Sequence, residues 1–427
     1  MNTTRRDFLA AAGGALAAPA ILGATDKAGT KNKILGEGEH QYECIHDWGE
    51  LPSQIKYGNT HSVAEDAHGF IYIHHTVHKD SQSPDSVVVF DPKGKFVKSW
   101  GPMFRGGAHG MQLCKEGKTE YLYFCDEKHG IVTKRTLKGE EVWTMGYPQD
   151  SPIYVKGIGA NGPGGAAGLN YRPTNFALAP NLDFWVGDGY GSYYMFHYKQ
   201  KSSTSYPELV KTFGGPPAGQ ARGGGRGPGG PGGAGRGPGG GGRGPGRGDG
   251  APGQAAGGPG GGRGLGGGGA RGPANPPPPG QPGVPRDVPI ESMNNPHGNM
   301  VDLRDPANPI LLVADRGNNR IVRYKLDDTP IDVVAGTKSP CHFYTYKDTI
   351  VVPDLQARVT LLDKDNKIIL HLGEPTVPNP LRTTENRADF IPGQFVQPHG
   401  AIFDHAANIF VVEWVEIGRV TKLRKLA

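Results

Sequence analysis

Residues 308–328 read NPILLVADRGNNRIVRYKLDD. ILLVAD is an apolar run of strand length, RGNN has the composition of a tight turn, and RIVRYKL alternates apolar with polar. The same hairpin pattern recurs as GFIYIHH with SVVVFDP (69–75 and 86–92), EYLYFCDEKHGIVTKRTL (120–137), LDFWVGDGYGSYYMFHYK (182–199), DTIVVPDLQARVTLLDKD (348–365) and ANIFVVEWVEIGRVTKLR (407–424). A short alternating strand ending in glycine also recurs: YECIHDWG (42–49), KFVKSWG (95–101), EVWTMG (141–146), LVKTFG (209–214), DVVAG (332–336) and IILHLG (368–373). All but the first of these follow a hairpin. Six repeats of about four strands have the period of a β-propeller. The last repeat stops before its outer strand, and YECIHDWG supplies it, which closes the ring and removes free sheet edges. The expected fold is all-β, a six-bladed β-propeller over residues 40–427, closed by an N-terminal strand.

Two other segments stand outside this pattern. Residues 214–285 hold much of the Gly and Pro and cannot bury enough apolar surface to order themselves, so a disordered insertion within the propeller is expected. The insertion has seven arginines against Asp249, so the net charge of +5 becomes −1 without it. The folded part thus has no charge surplus that would draw it to nucleic acid or a membrane surface. The Arg-Gly repeats are similar to RNA-binding tails, but an exported protein seldom meets RNA, and a solvated insertion is the reading adopted. Residues 1–24 begin TTRRDFLAAAGGALAAPAILGA after the first two positions, with Arg5-Arg6 before a mild apolar run, which is a twin-arginine export signal. No run of spanning length follows. A monomer outside the cytoplasm, periplasmic or secreted, is expected. Cys44, Cys114, Cys125 and Cys341 fit neither a metal spacing nor a dense disulfide scaffold, and Cys114 and Cys125 are expected to be free and buried.

Three turns stand out within the repeat: GAHGMQLC (107–114), NPHGNMVD (295–302) and QPHGAIFD (397–404). Each begins the innermost strand of a blade. That position, taken blade by blade, holds His61, His109, Thr174, His297, Cys341 and His399. Blades two, four and six carry histidine, so three imidazoles should converge on the axis at intervals of about 120°. Three neutral imidazoles suit zinc with one coordination position open, which is the catalytic pattern, although imidazole also suits copper, iron or nickel. His61 lies outside the three-fold set; a fourth ligand, a proton carrier and a packed residue are all open roles for it. The next loops of each blade reach the same mouth, with Asp126-Glu127, GDGYG (187–191), Asp315-Arg316, Asp354 and Glu413-Trp414. The aspartates are expected to close their turns through their own backbone. Tyr190 and Arg316 stand at turn tips where core packing does not require them, so a base and a carboxylate clamp are the roles read for them.

At these residues the sequence resembles NHL-type propellers, and among them the peptidyl-α-hydroxyglycine α-amidating lyases. The similarity is carried by AHGMQL, RPTNFALAPNLDFWVGDGYGSYYMFHY, NPHGNMVDLRDPANPILLVADRGNNRIVRY and QPHGAIFDHAANIFVVEW, across four of six blades. The resemblance implies one zinc held by His109, His297 and His399, Tyr190 as catalytic base and Arg316 as an active-site arginine. It implies cleavage of a carbinolamide C–N bond at a small-molecule or peptide C-terminal substrate, giving an amide and glyoxylate. Three positions depart from the family pattern. Thr76 falls near the place of a second arginine, and Gly191 takes that of a disulfide cysteine. Gly400 replaces an acidic residue that helps bind calcium, which leaves the calcium site in doubt. A non-catalytic propeller that binds a partner, tethered by the Gly/Arg segment, is the alternative. Lactonase propellers hold calcium with acidic and amide ligands, and axial histidines argue against that class.

Overall fold

A computed structural model describes residues 32–154, 171–217 and 287–426. The export segment at 1–24 and residues 218–285 of the insertion lie outside the described residues. Six antiparallel sheets follow one another along the chain. Lys33–Leu35 and Tyr42–Ile45 are β1 and β2. Blade one is β3 to β6 (Thr60–Glu65, Ile71–His75, Val87–Phe90, Phe96–Trp100), and blade two is β7 to β10 (Ala108–Glu116, Thr119–Asp126, Ile131–Thr136, Glu141–Met145). Blade three is β11 to β14 (Asn175–Leu178, Phe184–Gly187, Tyr194–Lys199, Glu208–Gly214). Blade four is β15 to β18 (Pro296–Asp302, Ile310–Asp315, Arg320–Lys325, Pro330–Val334), and blade five is β19 to β22 (Tyr344–Tyr346, Thr349–Asp354, Arg358–Leu362, Ile368–Leu372). Blade six has β23 to β25 (Pro398–Phe403, Ile409–Glu413, Arg419–Lys425), and β2 pairs with β25 to complete it. The protein is a six-bladed β-propeller. The closure has one strand more than expected, because β1, which lies wholly before residue 40, adds to β2.

The packing explains why the second strand of each repeat reads as unbroken hydrophobic sequence. Successive side chains leave opposite faces of a strand, and here both faces meet a neighbouring blade. Phe184 and Val186 join Tyr123 and Val132 of blade two, whereas Trp185 between them joins Leu311 and Val313 of blade four. Leu312 and Ala314 turn to Ile350 and Val352 of blade five. Val351 and Leu361 meet Ala401 and Val411 of blade six. Ile402 and Val412 meet Val63 and Ile73 of blade one, and Tyr72 and Val89 meet Met111 and Leu122 of blade two. The core is therefore a closed circuit of six interfaces. Cys125 is buried and free, but Cys114 is only half-buried, because it faces Tyr121 near the outer end of a long hairpin. Among the described residues no helix is long and apolar enough to cross a membrane.

Blade one buries histidines that the ring does not use. His74 is fully buried against Phe104 and Phe124, and neither ring nitrogen has a protein partner. Burial lowers His74 and His75 to about 3, and His342 of blade five to about 4. Unfolded histidine titrates near 6.5, so below that pH the unfolded chain binds protons that the folded chain refuses. Stability is complete above about pH 6.5 and falls as pH drops, by about 2 kcal/mol for each such histidine at pH 5. Burial raises the buried carboxyls Asp188, Asp315 and Asp354, and their contribution grows on acidification and offsets part of the loss. Urea unfolding at pH 7.5 and 5 should show a net fall, and His74→Leu should flatten it; an unchanged slope in that variant would rule out His74 as a cause.

Candidate functional site

The inner strands are irregular where the histidines stand. Register shifts fall between Thr60 and Ser62, Ala108 and Met111, Pro296 and Asn299, and Pro398 and Gly400. These intervals contain His61, His109, His297 and His399. A bulge re-aims a side chain out of the strand's normal alternation, and here it sends each imidazole into the channel. The ring centroids of His109, His297 and His399 form a nearly equilateral triangle, with separations of 4.7, 4.7 and 4.8 Å.

Each of the three is oriented by the next blade. His109 Nδ1 lies 2.6 Å from the Thr174 carbonyl, His297 Nδ1 2.8 Å from that of Cys341, and His399 Nδ1 2.9 Å from that of His61. A carbonyl only accepts, so Nδ1 carries the proton in all three and Nε2 keeps its lone pair. The following glycine permits this approach. A Cβ on Gly298 would lie 2.5 Å from the Cys341 carbonyl oxygen and 2.7 Å from His342 Cα. Gly298→Ala is therefore expected to cost about 1–3 kcal/mol, read by urea unfolding; unchanged stability would show that the blades separate freely.

His61 differs for a visible reason. The carbonyl its Nδ1 would need, that of His109, is taken by the Ser62 hydroxyl at 2.7 Å. His61 Nδ1 is left buried without a protein partner, and its ring stands 5.0 Å from His109 and 4.6 Å from His399. Thr174 does not act as a ligand here; its hydroxyl lies 2.9 and 2.8 Å from the Gly187 and Pro296 carbonyls.

Tyr190 and Arg316 turn inward from their loops. Asp188 anchors the first loop, accepting from Arg172 N, Ser192 N and the Ser192 and Tyr154 hydroxyls. The Tyr190 hydroxyl then reaches 3.3 Å from His109 Nε2 and 3.2 Å from His297 Nε2. Arg316 opens a single 3₁₀ turn, Arg316–Asn318, and donates to the same hydroxyl at 3.1 Å. It is 7% exposed, so it is a buried cation rather than a surface tip. Of the turn aspartates, Asp126 does close its turn through its own backbone. Asp315 and Asp354 instead pair with Arg320 and Arg358, and Glu413 with Arg419, because an arginine on the following strand reaches each carboxylate.

Two arginines at this mouth were missed in the sequence. The Arg172 guanidinium lies 5.2 Å from the centroid of the Tyr190 ring and is paired with Glu127. The Arg382 guanidinium stacks on Trp414 at 3.8 Å, and its Nη1 is buried without a hydrogen bond, 4.0 Å from Glu416. Both come from connections between blades, where no strand period marks a facing side. The position of Arg172 just before Pro173-Thr174 was the available signal.

Burial, the largest influence, holds His61, His109, His297 and His399 well below the usual imidazole range, and the Arg316 charge adds to it. All four are neutral at physiological pH, as a metal ligand must be. Burial raises the Tyr190 phenol, and Arg316 works against that rise. His399 Nε2 is buried with no protein partner. The ligating atoms of His61, His109 and His399 lie within 4.8 Å of one another, and so do those of His297, Cys341 and His399. Neither set contains His109, His297 and His399 together; each has two or three imidazoles and fits a borderline divalent ion.

The class defined by fold and site is a six-bladed propeller with a ring of imidazoles in its channel. No family model and no curated protein matches the chain. Solved propellers resemble it in fold. A streptogramin B lyase has 10% identity and a TM-score of 0.45, over 91% of this chain and 99% of its own. A virginiamycin B lyase from Staphylococcus aureus has 11% identity and a TM-score of 0.44, over 90% and 100%. A gluconolactonase from Xanthomonas campestris has 9% identity and a TM-score of 0.47, over 92% and 95%. At such identities and scores these likenesses carry no argument about chemistry.

Proposed function

We propose that this chain is an exported, zinc-dependent lyase that cleaves the C–N bond of a carbinolamide, an N-acyl-α-hydroxyglycine, to an amide and glyoxylate. The observation that carries this reading is the Tyr190 hydroxyl, held among His109 Nε2, His297 Nε2 and Arg316 Nη2 at 3.3, 3.2 and 3.1 Å. His109, His297 and His399 would hold the ion. Zinc, when bound, supplies a Lewis acid for the substrate's hydroxyl or carboxylate and a positive charge that favours the Tyr190 phenolate.

The chain's own groups do the rest. Tyr190, as phenolate, takes the proton from the substrate hydroxyl. The oxygen's electrons form the new carbonyl of glyoxylate as the C–N bond breaks, and the departing amide nitrogen takes up a proton. Nothing is oxidised and no water is consumed. Arg316 steadies the phenolate and offers its remaining N–H groups to the substrate carboxylate. The guanidinium carbons of Arg172 and Arg316 each lie 5.2 Å from the centroid of the Tyr190 ring. The zinc-loaded protein should convert an N-acyl-α-hydroxyglycine into equal amounts of glyoxylate and primary amide. Absence of both products from a zinc-replete sample would remove this reading.

A further inference from the structure

The channel ring holds a second kind of ligand. Five of its six inner positions, all but Thr174, carry a side chain able to bind a metal. The two compact donor sets share His399 and lie on either side of it. One spans blades six, one and two, with His399, His61 and His109; the other spans blades four, five and six, with His297, Cys341 and His399.

Cys341 is built into this ring. Its side chain is 1% exposed, and its sulfur has only weak neighbours, the Ser339 carbonyl at 3.5 Å and Arg316 Nη1 at 3.9 Å. Its own carbonyl accepts from His297 Nδ1, so the backbone that places the thiol also orients one of its imidazole partners. The Arg316 guanidinium is positioned to balance a thiolate. Among the described residues no other cysteine joins a donor set of this kind. Cys44 lies in the closing strand β2, and Cys114 and Cys125 lie on β7 and β8 of blade two. The partnerless Nε2 of His399 completes the set.

We infer that His297, Cys341 and His399 form a second ion position in the channel, selective for a thiophilic ion such as Cd²⁺, Cu⁺ or Zn²⁺ over hard cations. Thiolate with two imidazoles is a soft donor set. The inference rests on the channel being a metal centre. His399 has one ring nitrogen to give, since its Nδ1 is committed to the His61 carbonyl. The thiol position shares His399 with the His61 set and both His297 and His399 with the proposed three-imidazole centre, so the positions compete, and a soft ion is drawn to the thiol side. On binding, the S–H proton leaves to solvent and a sulfur–metal bond forms, with no change of oxidation state.

Cd²⁺ added to the full-length, chelator-stripped protein is the test. A thiolate-to-cadmium charge-transfer band should appear in the ultraviolet difference spectrum, disappear in Cys341→Ser, and persist in Cys114→Ser and Cys125→Ser. Cadmium-113 resonance of the unsubstituted protein reads sulfur ligation directly, so the test does not depend on any variant folding. Bound Cd²⁺ without sulfur ligation, or a band that survives Cys341→Ser, overturns the thiol position and leaves the three-imidazole centre standing. No Cd²⁺ and no Zn²⁺ bound by the unsubstituted protein overturns both.

Discussion

Tyr190→Phe is expected to lower kcat for glyoxylate release by about 10²–10⁴-fold, the range of a lost general base, with zinc content and KM unchanged. The substitution removes one oxygen and keeps the ring on which Arg172 and Arg316 rest. A loss in kcat alone marks an interaction made in the transition state, whereas a rise in KM alone would mark a binding contact. The pH profile gives a second readout. Activity should rise with pH as the phenol ionises, since burial raises Tyr190 above its ordinary value in the metal-free protein and only positive charge brings it down. Full activity in Tyr190→Phe would end the base assignment, whatever the metal content.

Replacing His109, His297 and His399 together with alanine should take bound zinc from about one ion per chain to none. Metal analysis of the purified proteins measures this. A ligand that binds only the folded state raises apparent stability with its concentration, so added zinc should raise the thermal midpoint of the natural chain and leave that of the triple variant unmoved. Retained zinc in the variant would shift the centre to His61 and Cys341. No zinc in either protein would make the three turns a device for joining blades, a role their Nδ1–carbonyl bonds already fill.

Much of this architecture was legible in the chain because a propeller repeats its physics. Each blade presents both faces of its middle strands to neighbours, so ILLVAD and IFVVE stand out as continuous apolar runs and can be counted. The convergence of His109, His297 and His399 followed from the same counting, since equal positions in alternate blades must face one another. What escaped depends on chain that has no period. β1 is a three-residue strand with a mostly exposed pattern, too short to announce itself. Arg172 and Arg382 lie in connections between blades, where only tertiary packing decides which way a side chain faces. The asymmetry of His61 turns on the Ser62 hydroxyl taking a carbonyl, and no spacing in the sequence encodes that choice.

The bond from His399 to the His61 carbonyl crosses the seam where the last blade meets the first. It joins two residues 338 positions apart, and the β1–β2 pair has no blade to join until β25 exists. Synthesis therefore yields five blades and two of the three oriented imidazoles well before the third can be set in place. A stalled, clipped or prematurely terminated chain lacks a finished channel mouth, even where most of its sheets have formed. The channel mouth is thus coupled to ring closure: its third oriented imidazole is set only when the sixth blade has met the first.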